Sequence, residues 1–138
     1  AERRDMFRDD LGIGDAKNFV IVDAAMNDLI RPTLYDAFHD IRPVVLPKDD
    51  APRIRADFVG PVCETGDYLG LDREIARPRP GDLIAVSTAG AYGAVQASTY
   101  NSRLLVPEVL VDGDRYHVVR PRRSYEELLA LDSVPDWL

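Results

Sequence analysis

The sequence contains one cysteine and two histidines among its 138 residues, and this shortage excludes several kinds of site. The single cysteine, Cys63, cannot form an internal disulfide. The two histidines, His39 and His117, lie too far apart in the sequence to form a metal-ligand motif. We therefore expect no metal site, and we expect both histidines on the surface or in strands. One free cysteine is typical of a reducing compartment, which predicts a cytoplasmic protein.

Long apolar runs are also missing. No run approaches the roughly 20 residues that a membrane-spanning helix needs, and the chain does not start with a signal-peptide pattern. A formal net charge of −7 disfavours binding to nucleic acid or to an anionic membrane surface. The sequence lacks the nucleophile elbow of serine hydrolases, the Walker loop and the GxGxxG dinucleotide fingerprint. These absences disfavour nucleic-acid and membrane partners and three common kinds of enzyme site.

What the chain does contain is typical of one mainly β domain with short helices. Its residues are 46% hydrophobic and 30% charged, which describes a globular protein. Residues 1–18 predict an irregular amino-terminal segment, and residues 19–138 predict the domain itself. Hydrophobic runs and alternation predict strands at residues 19–23, 43–46, 54–58, 83–86, 109–111 and 116–119. Helices are predicted from Pro32 and, by a capping-box spacing, from Ser124.

Residues 60–67 are the first candidate for chemistry, because they place Cys63 beside Glu64. Two glycines and a proline bracket the pair, and such spacing predicts a tight loop. A lone thiol beside a carboxylate on a loop is a candidate reactive group. The alternative is that Cys63 is a small buried hydrophobe, which is common for a free cysteine.

Arg31 and Tyr35 lie four residues apart at the start of the first predicted helix, so we expect their side chains to be neighbours. The helical spacing of Leu34, Phe38 and Ile41 predicts that this helix buries one face. An arginine can bind a carboxylate with two hydrogen bonds. The pair is therefore a candidate carboxylate clamp.

Tyr92 lies among small residues in the segment 88–94. Small neighbours would let the backbone approach a ligand closely and would leave the Tyr92 phenol as the main side chain available for contact. A glycine-rich strand edge with a core tyrosine fits the segment equally well. Arginine can bind a carboxylate, glutamate can bind an ammonium, and a thiol can donate a proton to a carbanion. An amino-acid substrate with an attached electron sink would therefore suit the five candidates Arg31, Tyr35, Cys63, Glu64 and Tyr92.

Several motifs, in order along residues 19–131, closely resemble the diaminopimelate decarboxylase family. They are VIVDAAMNDLIRPTLY at 20–35, VGPVCETGD at 59–67, AGAYG at 89–93, YNSR at 100–103 and PEVLVDG at 107–113. What the chain resembles is the carboxy-terminal part of that enzyme. The resemblance implies a β-barrel or sandwich-like domain of the alanine-racemase type, a separate TIM-type barrel for the cofactor, and a homodimer with active sites at the subunit interface. It also implies conversion of meso-2,6-diaminopimelate to L-lysine and CO2, the last step of lysine biosynthesis, with pyridoxal 5'-phosphate.

The same resemblance assigns a role to each candidate residue. Arg31 and Tyr35 match substrate-binding positions, and Glu64 matches a substrate contact at the distal amino end. Cys63 matches the proton donor, on a loop that reaches into the neighbouring subunit's site. Tyr92 matches the tyrosine that contacts both cofactor and substrate.

The departure from the family is the missing cofactor-binding barrel. Only Lys17 and Lys48 occur, and neither lies in a motif like that of the family's cofactor-linked lysine. The glycine-rich phosphate-binding segment is also missing, so we expect most of the pyridoxal phosphate contacts to lie in the absent barrel. This predicts a chain that is inactive alone, being a truncated product or one half of a split enzyme.

Two alternative functions remain open. Sibling decarboxylases acting on ornithine or arginine share the fold and the loop cysteine, but they usually follow it with aspartate, whereas this chain has Glu64. The missing lysine also fits a non-catalytic partner domain that binds the complete enzyme.

Overall fold

The computed structural model describes residues 17–137, so most of the irregular segment predicted at residues 1–18 lies outside the described residues. Within residues 17–137, seven strands, three short helices and one 3-10 turn follow each other. In chain order they are β1 (Asn18–Ile21), α1 (Arg31–Tyr35), β2 (Ile41–Pro43), β3 (Arg53–Val59), β4 (Tyr68–Ala76), β5 (Ile84–Val86), α2 (Gly90–Gln96), the turn Tyr100–Ser102, β6 (Glu108–Asp112), β7 (Arg115–Arg120) and α3 (Tyr125–Leu129). The predicted mainly β fold with short helices is confirmed.

The strands form three small sheets. One has the order β1-β3-β4, and the pairs β2-β5 and β6-β7 form the other two, so no barrel closes within residues 17–137. β1 runs parallel to β3, and the remaining pairs are antiparallel. The sheet β1-β3-β4 and the strand β2 therefore carry the packed part of the domain, and the β6-β7 hairpin pairs only within itself among the described strands.

The core lies where β2, β3 and β4 meet the segment before α1. Its buried residues are Leu29, Ile41, Phe58, Leu69 and Ile75. Burying a side chain as large as phenylalanine contributes roughly 1.5–3 kcal/mol. Of the alternation predicted along 54–58, the buried positions Ala56 and Phe58 are confirmed, but Asp57 between them is also buried, where its carboxylate accepts a hydrogen bond from the Asp72 N–H.

Two strand predictions need correction. The strand predicted at 19–23 is present as β1, but its side chains are half-buried or exposed and not fully buried. The strand predicted at 43–46 is wrong beyond Pro43, because residues 44–46 are exposed. The register of β2 with β5 ends at Pro43 opposite Ile84, and one further hydrogen bond, from the Val44 N–H to the Leu83 carbonyl at 3.0 Å, continues the pairing.

The first predicted helix is shorter than expected and does not bury the predicted face. It ends at Tyr35 because Asp36 adopts a left-handed conformation with φ of 52°. Leu34 and Phe38 are exposed. Ile41 is buried, but as a residue of β2. A left-handed residue is a common helix terminator, and here it overrides the helical spacing of the apolar residues.

Within residues 17–137, the sequence patterns did not indicate β4, α2 or the 3-10 turn Tyr100–Ser102. β4 is the longest strand, and its alternation is broken by Asp72, which has φ of 54°. The segment around Tyr92 forms the helix α2, so the alternative of a glycine-rich strand edge is wrong.

The carboxy-terminal predictions are confirmed. Gly113, with φ of 62°, forms the turn of the β6-β7 hairpin. Ser124 accepts a hydrogen bond from the Glu127 N–H and forms the expected capping box. His117 is an exposed strand residue, as predicted. His39 is instead buried, with Nδ1 3.1 Å from the Ser87 carbonyl oxygen.

Candidate active-site surface

Asp67 determines the shape of the cysteine loop. Its side chain is buried, and its two carboxylate oxygens accept hydrogen bonds from the Met26 N–H at 2.7 Å and the Val62 N–H at 2.6 Å. A Cβ added at Gly60 would lie 2.5 Å from both carboxylate oxygens, so only glycine permits this approach. The predicted tight loop is therefore present, and a buried carboxylate organises it from inside.

The loop presents its reactive residues to the surface. Cys63 is exposed, so the alternative of a small buried hydrophobe is wrong. The Glu64 N–H donates to the Val62 carbonyl at 2.8 Å, and the Asp67 N–H donates to the Glu64 carbonyl at 3.1 Å. These short-range bonds fold residues 62–67 into consecutive turns, which place the thiol and the Glu64 carboxylate at the outer side.

The helix α1 is joined directly to this loop. Thr33 Oγ1 donates a hydrogen bond to the Gly66 carbonyl oxygen. Gly66 lies so close that an added Cβ would be 2.7 Å from Thr33 Cγ2. Pro32, the second residue of the helix, is buried. Arg31 and Tyr35 are therefore carried by an element that is fixed against the cysteine loop.

Three of the five predicted site residues form one group. The Arg31 guanidinium carbon lies 5.6 Å from the ring centroid of Tyr35 and 5.1 Å from that of Tyr92. Both distances are within the range of cation–π contacts. The helix α2 comes close because Gly93 is buried, with an added Cβ only 3.3 Å from Leu29 Cδ1. The structure thus joins residues that are up to 61 positions apart (92 − 31) in the sequence.

Glu64 has a partner that the sequence analysis did not assign. The Tyr100 hydroxyl donates to Glu64 Oε1 at 2.5 Å. The hydrogen bond with Glu64, then the charge of Glu64 and then burial raise the pKa of the Tyr100 phenol above its ordinary value. The phenol therefore keeps its proton as pH rises past the usual range and remains the donor. Its only signal in the sequence was the YNSR motif, to which no role was assigned.

Arg103 fixes the turn that carries Tyr100. Its Nη2 donates to the Asp23 carbonyl at 2.6 Å, and its Nε donates to Asn27 Oδ1 at 2.8 Å. Asn27 is itself only 2% exposed. A second charge, Asp28, lies 3.6 Å from the guanidinium. The turn is thereby held to the segment immediately before α1.

Cys63 stands apart from the arginine group. Within residues 17–137, no hydrogen bond or ring contact joins it to Arg31, Tyr35 or Tyr92. The thiol is connected to that group only through the loop backbone and Thr33. The isolated chain therefore presents two adjoining parts of a site, one with an arginine and two phenols, the other with a thiol and a carboxylate.

Cavity size does not locate this site. A groove of about 590 Å³ is lined by none of the five predicted residues. A smaller cavity of about 280 Å³ lies beside Tyr100, and its lining residues are Met26, Asn27, Ile30, Gln96, Ser98 and Tyr100. We place the candidate site by its chemical groups and not by volume. In the part of the chain that the structure describes, no cluster of three acidic, histidine or cysteine side chains could hold a metal ion. None of the helices there is long and apolar enough to cross a membrane.

Comparisons with known proteins agree with the resemblance seen in the motifs. Residues 3–90 match the sequence model of the family described as pyridoxal-dependent decarboxylase, C-terminal sheet domain. The diaminopimelate decarboxylase of Neisseria meningitidis serogroup A is 56% identical over 117 residues, which are 85% of this chain and 28% of that relative. The structure of diaminopimelate decarboxylase from Helicobacter pylori complexed with L-lysine superposes with a TM-score of 0.76 at 43% identity, covering 83% of this chain and 28% of that chain.

A more distant structure shows the fold alone. The arginine decarboxylase of Paramecium bursaria Chlorella virus has a TM-score of 0.56 at 14% identity, covering 61% of this chain and 23% of that chain. The chain thus spans less than a third of the length of each of these relatives. Since the family match extends over residues 3–90, the chain belongs to the pyridoxal-dependent decarboxylases, as their C-terminal sheet domain.

Proposed function

We propose that this chain supplies the substrate-binding and proton-donating part of a diaminopimelate decarboxylase, which converts meso-2,6-diaminopimelate to L-lysine and CO2. The observation that carries the proposal is the Arg31, Tyr35 and Tyr92 group on elements fixed against the loop of Cys63 and Glu64. Relatives bearing that name are 56% and 57% identical to the chain, and one relative's structure contains L-lysine.

The substrate has a carboxylate and an ammonium at each end, and the chain offers one group for each charge of the distal end. In the proposed dimer, Arg31 serves one active site, and Glu64, on the loop of Cys63, serves the other. Arg31 binds a carboxylate through its planar guanidinium, and Tyr35, whose ring centroid lies 5.6 Å from the guanidinium carbon, adds a hydroxyl beside it. Glu64 binds the ammonium with the oxygen that Tyr100 does not occupy. A substrate that lacks the distal amino-acid head would leave these groups unpaired, which is the basis of the proposed specificity.

Cys63 has the exposure that a proton donor needs. When the bond between the α-carbon and its carboxylate breaks, CO2 leaves and the electron pair stays on the substrate. The Cys63 thiol then donates its proton to the α-carbon, and the thiolate left behind is reprotonated from solvent. Because Cys63 is not joined to the arginine group, we propose that it acts in the site of the other subunit of a homodimer. One free cysteine supports placing this dimer in the cytoplasm.

Pyridoxal phosphate, when bound, supplies the electron sink that makes decarboxylation possible. Tyr92 fits a contact with it, since its side chain is exposed beside Arg31. The lysines of this chain do not fit the covalent link. Lys17 Nζ lies 2.5 Å from Asp57 Oδ2, and Lys48 is in an exposed segment on the groove away from the candidate site. We therefore propose that the linking lysine and most of the cofactor contacts come from other residues of the complete enzyme.

The test is CO2 release from meso-diaminopimelate with added pyridoxal phosphate. It is made on this chain and on the complete protein encoded by the same open reading frame. We expect turnover only by the complete protein. Ornithine and arginine serve as competing substrates, since the likeness to a viral arginine decarboxylase extends to the fold. Release from either of these, and not from diaminopimelate, would replace the proposed substrate.

A complete protein that decarboxylates none of the three would instead support a non-catalytic partner domain, which the unsuitable lysines favour. Binding of this chain to an active diaminopimelate decarboxylase would then support the partner-domain function, and a lack of binding would exclude it.

A further inference from the structure

The contact between Tyr100 and Glu64 connects the cysteine loop to a turn 36 residues further along the chain. Neither the motif comparison nor the composition of the loop assigns Tyr100 a function. Its hydroxyl donates to Oε1 of Glu64, which leaves Oε2 free to accept from another donor. The contact therefore fixes the direction of the carboxylate without using up its capacity to bind a ligand.

The backbone around Tyr100 is built to hold this position. Asn101 and Ser102 both adopt left-handed conformations, with φ of 60° and 56°, so the chain turns sharply after the tyrosine. The Tyr100 N–H donates to Ser98 Oγ at 3.3 Å, and the Ser98 N–H donates to the Asn27 carbonyl at 2.9 Å. Arg103 anchors the other end of the turn to the same asparagine. Two separate ties thus connect the turn to the segment that leads into α1.

Tyr100 is a donor of the right kind for an ionised carboxylate. Its proton is retained because the contact with Glu64 raises the pKa of the phenol. Glu64 is exposed and has several rotatable bonds, so without this contact a ligand would have to order the side chain on binding. A preordered carboxylate avoids that entropy loss and binds more tightly.

We propose that Tyr100 is a positioning residue that orients Glu64 for the distal ammonium group of the substrate. The inference rests on the proposed function and adds the residue that sets the strength of ammonium recognition. Tyr100 itself need not touch the substrate. Its effect passes through the carboxylate, so it belongs to substrate binding and not to the bond-breaking step.

The experiment uses the complete enzyme and the variants Tyr100→Phe, Glu64→Gln and their combination. We expect Tyr100→Phe to raise KM for meso-diaminopimelate about tenfold with kcat within about twofold, as for a residue that contributes equally to ground-state and transition-state binding. In the Glu64→Gln background the same change adds less than about twofold, because there is no carboxylate to orient. Tyr116→Phe, an exposed tyrosine of β7, is the matched control and leaves KM unchanged.

An unchanged KM in Tyr100→Phe, or effects of the two substitutions that simply multiply, would overturn the inference. An inactive wild-type complete protein would overturn the proposed function instead. The hydrogen bond between Tyr100 and Glu64 is then tested by 13C NMR titration of labelled tyrosine, and the Tyr100 signal is assigned by its loss in Tyr100→Phe. The pKa of the phenol falls towards its ordinary value in Glu64→Gln if the contact exists, and an equal pKa in both proteins would refute it.

Discussion

The part of the chain around the candidate site and the hairpin that follows it are built in opposite ways. Around the site, hydrogen bonds join residues that are far apart in the sequence. Asp67 accepts from the Met26 backbone N–H, and Arg103 donates to Asn27 Oδ1. The β6-β7 hairpin pairs only within itself among the described strands, and its apolar side chains are exposed, with Tyr116 at 75%. The site surface is therefore organised by contacts within this chain, whereas the hairpin gains little support from the rest of the described chain.

An isolated two-stranded hairpin is only marginally stable in water. Apolar residues on both strands, such as Leu110 and Val119, remain uncovered by the described part of the chain. Besides the backbone pairing, the hairpin contains ion pairs, of which Arg115 with Asp112 is exposed. Exposed pairs of this kind contribute little, typically about 0–1 kcal/mol. Substitutions in the two regions should therefore have very different effects.

The largest expected effect is on turnover. Cys63→Ala in the complete enzyme should lower kcat by roughly 100-fold or more, because a positioned proton donor typically contributes 100-fold to 10,000-fold. The control is Asp114→Ser in the hairpin turn, which should leave kcat within about twofold. Steady-state CO2 release measures both. A Cys63→Ala enzyme with nearly normal turnover would remove the thiol from the proposed chemistry.

The next effect is on stability. Asp67→Ala should lower the free energy of unfolding by about 3 kcal/mol, because it leaves one buried N–H group, of Val62, and one half-buried N–H group, of Met26, without acceptors. The matched change Asp112→Ala removes an exposed carboxylate paired with Arg115 and should cost at most about 0.5 kcal/mol. Urea unfolding of the complete protein measures both. Equal losses would contradict the contrast between the two regions.

The smallest effect concerns α3 in the carboxy-terminal part. The backbone N–H of Ser124 lowers the pKa of Glu127 below its ordinary value of 4.5. A lowered folded-state pKa means that the stabilisation is present above the unfolded-state pKa and is lost as pH falls through the folded-state value. The Leu128 amide donates to the Ser124 carbonyl. Its protection against hydrogen exchange, corrected for the intrinsic pH dependence of exchange, should therefore fall in acid.

Ser124→Ala should weaken this capping box by about 1 kcal/mol at neutral pH. Glu127→Gln should flatten the acid dependence, since glutamine does not titrate. Protection of Leu128 that is the same at pH 6 and pH 3 in the wild type would contradict the role of the Glu127 carboxylate.

How much was predictable depends on how local each signal is. The hairpin and the capping box were predicted because Gly113 and Ser124 act over three or four residues. The loop of Cys63 was predicted as a turn for the same reason. β4 was missed because left-handed Asp72 interrupts its alternation, and α2 was missed because small residues carry no periodic pattern.

The candidate site was predictable as a set of residues but not as an arrangement. The motifs identified Arg31 and Tyr92, but only packing at Gly93 shows that their side chains meet. Tyr100 was missed because its partner lies 36 residues away and no local pattern encodes such a contact. Their roles as substrate-binding and catalytic residues remain predictions that the kinetic variants test.

The hydrogen bond from Thr33 to the Gly66 carbonyl has a consequence for stereochemistry. Through this bond, the substrate clamp of one active site and the proton donor of the other active site belong to the same rigid body. In the proposed dimer, a small rotation between subunits would therefore move a donor and a clamp together. The face of the α-carbon that receives the proton is then set by the geometry of the dimer interface. Because that carbon becomes a CH2 group, the face is detected by running the reaction in 2H2O, where a weakened interface should lower the stereospecificity of deuterium incorporation as well as the rate of lysine formation.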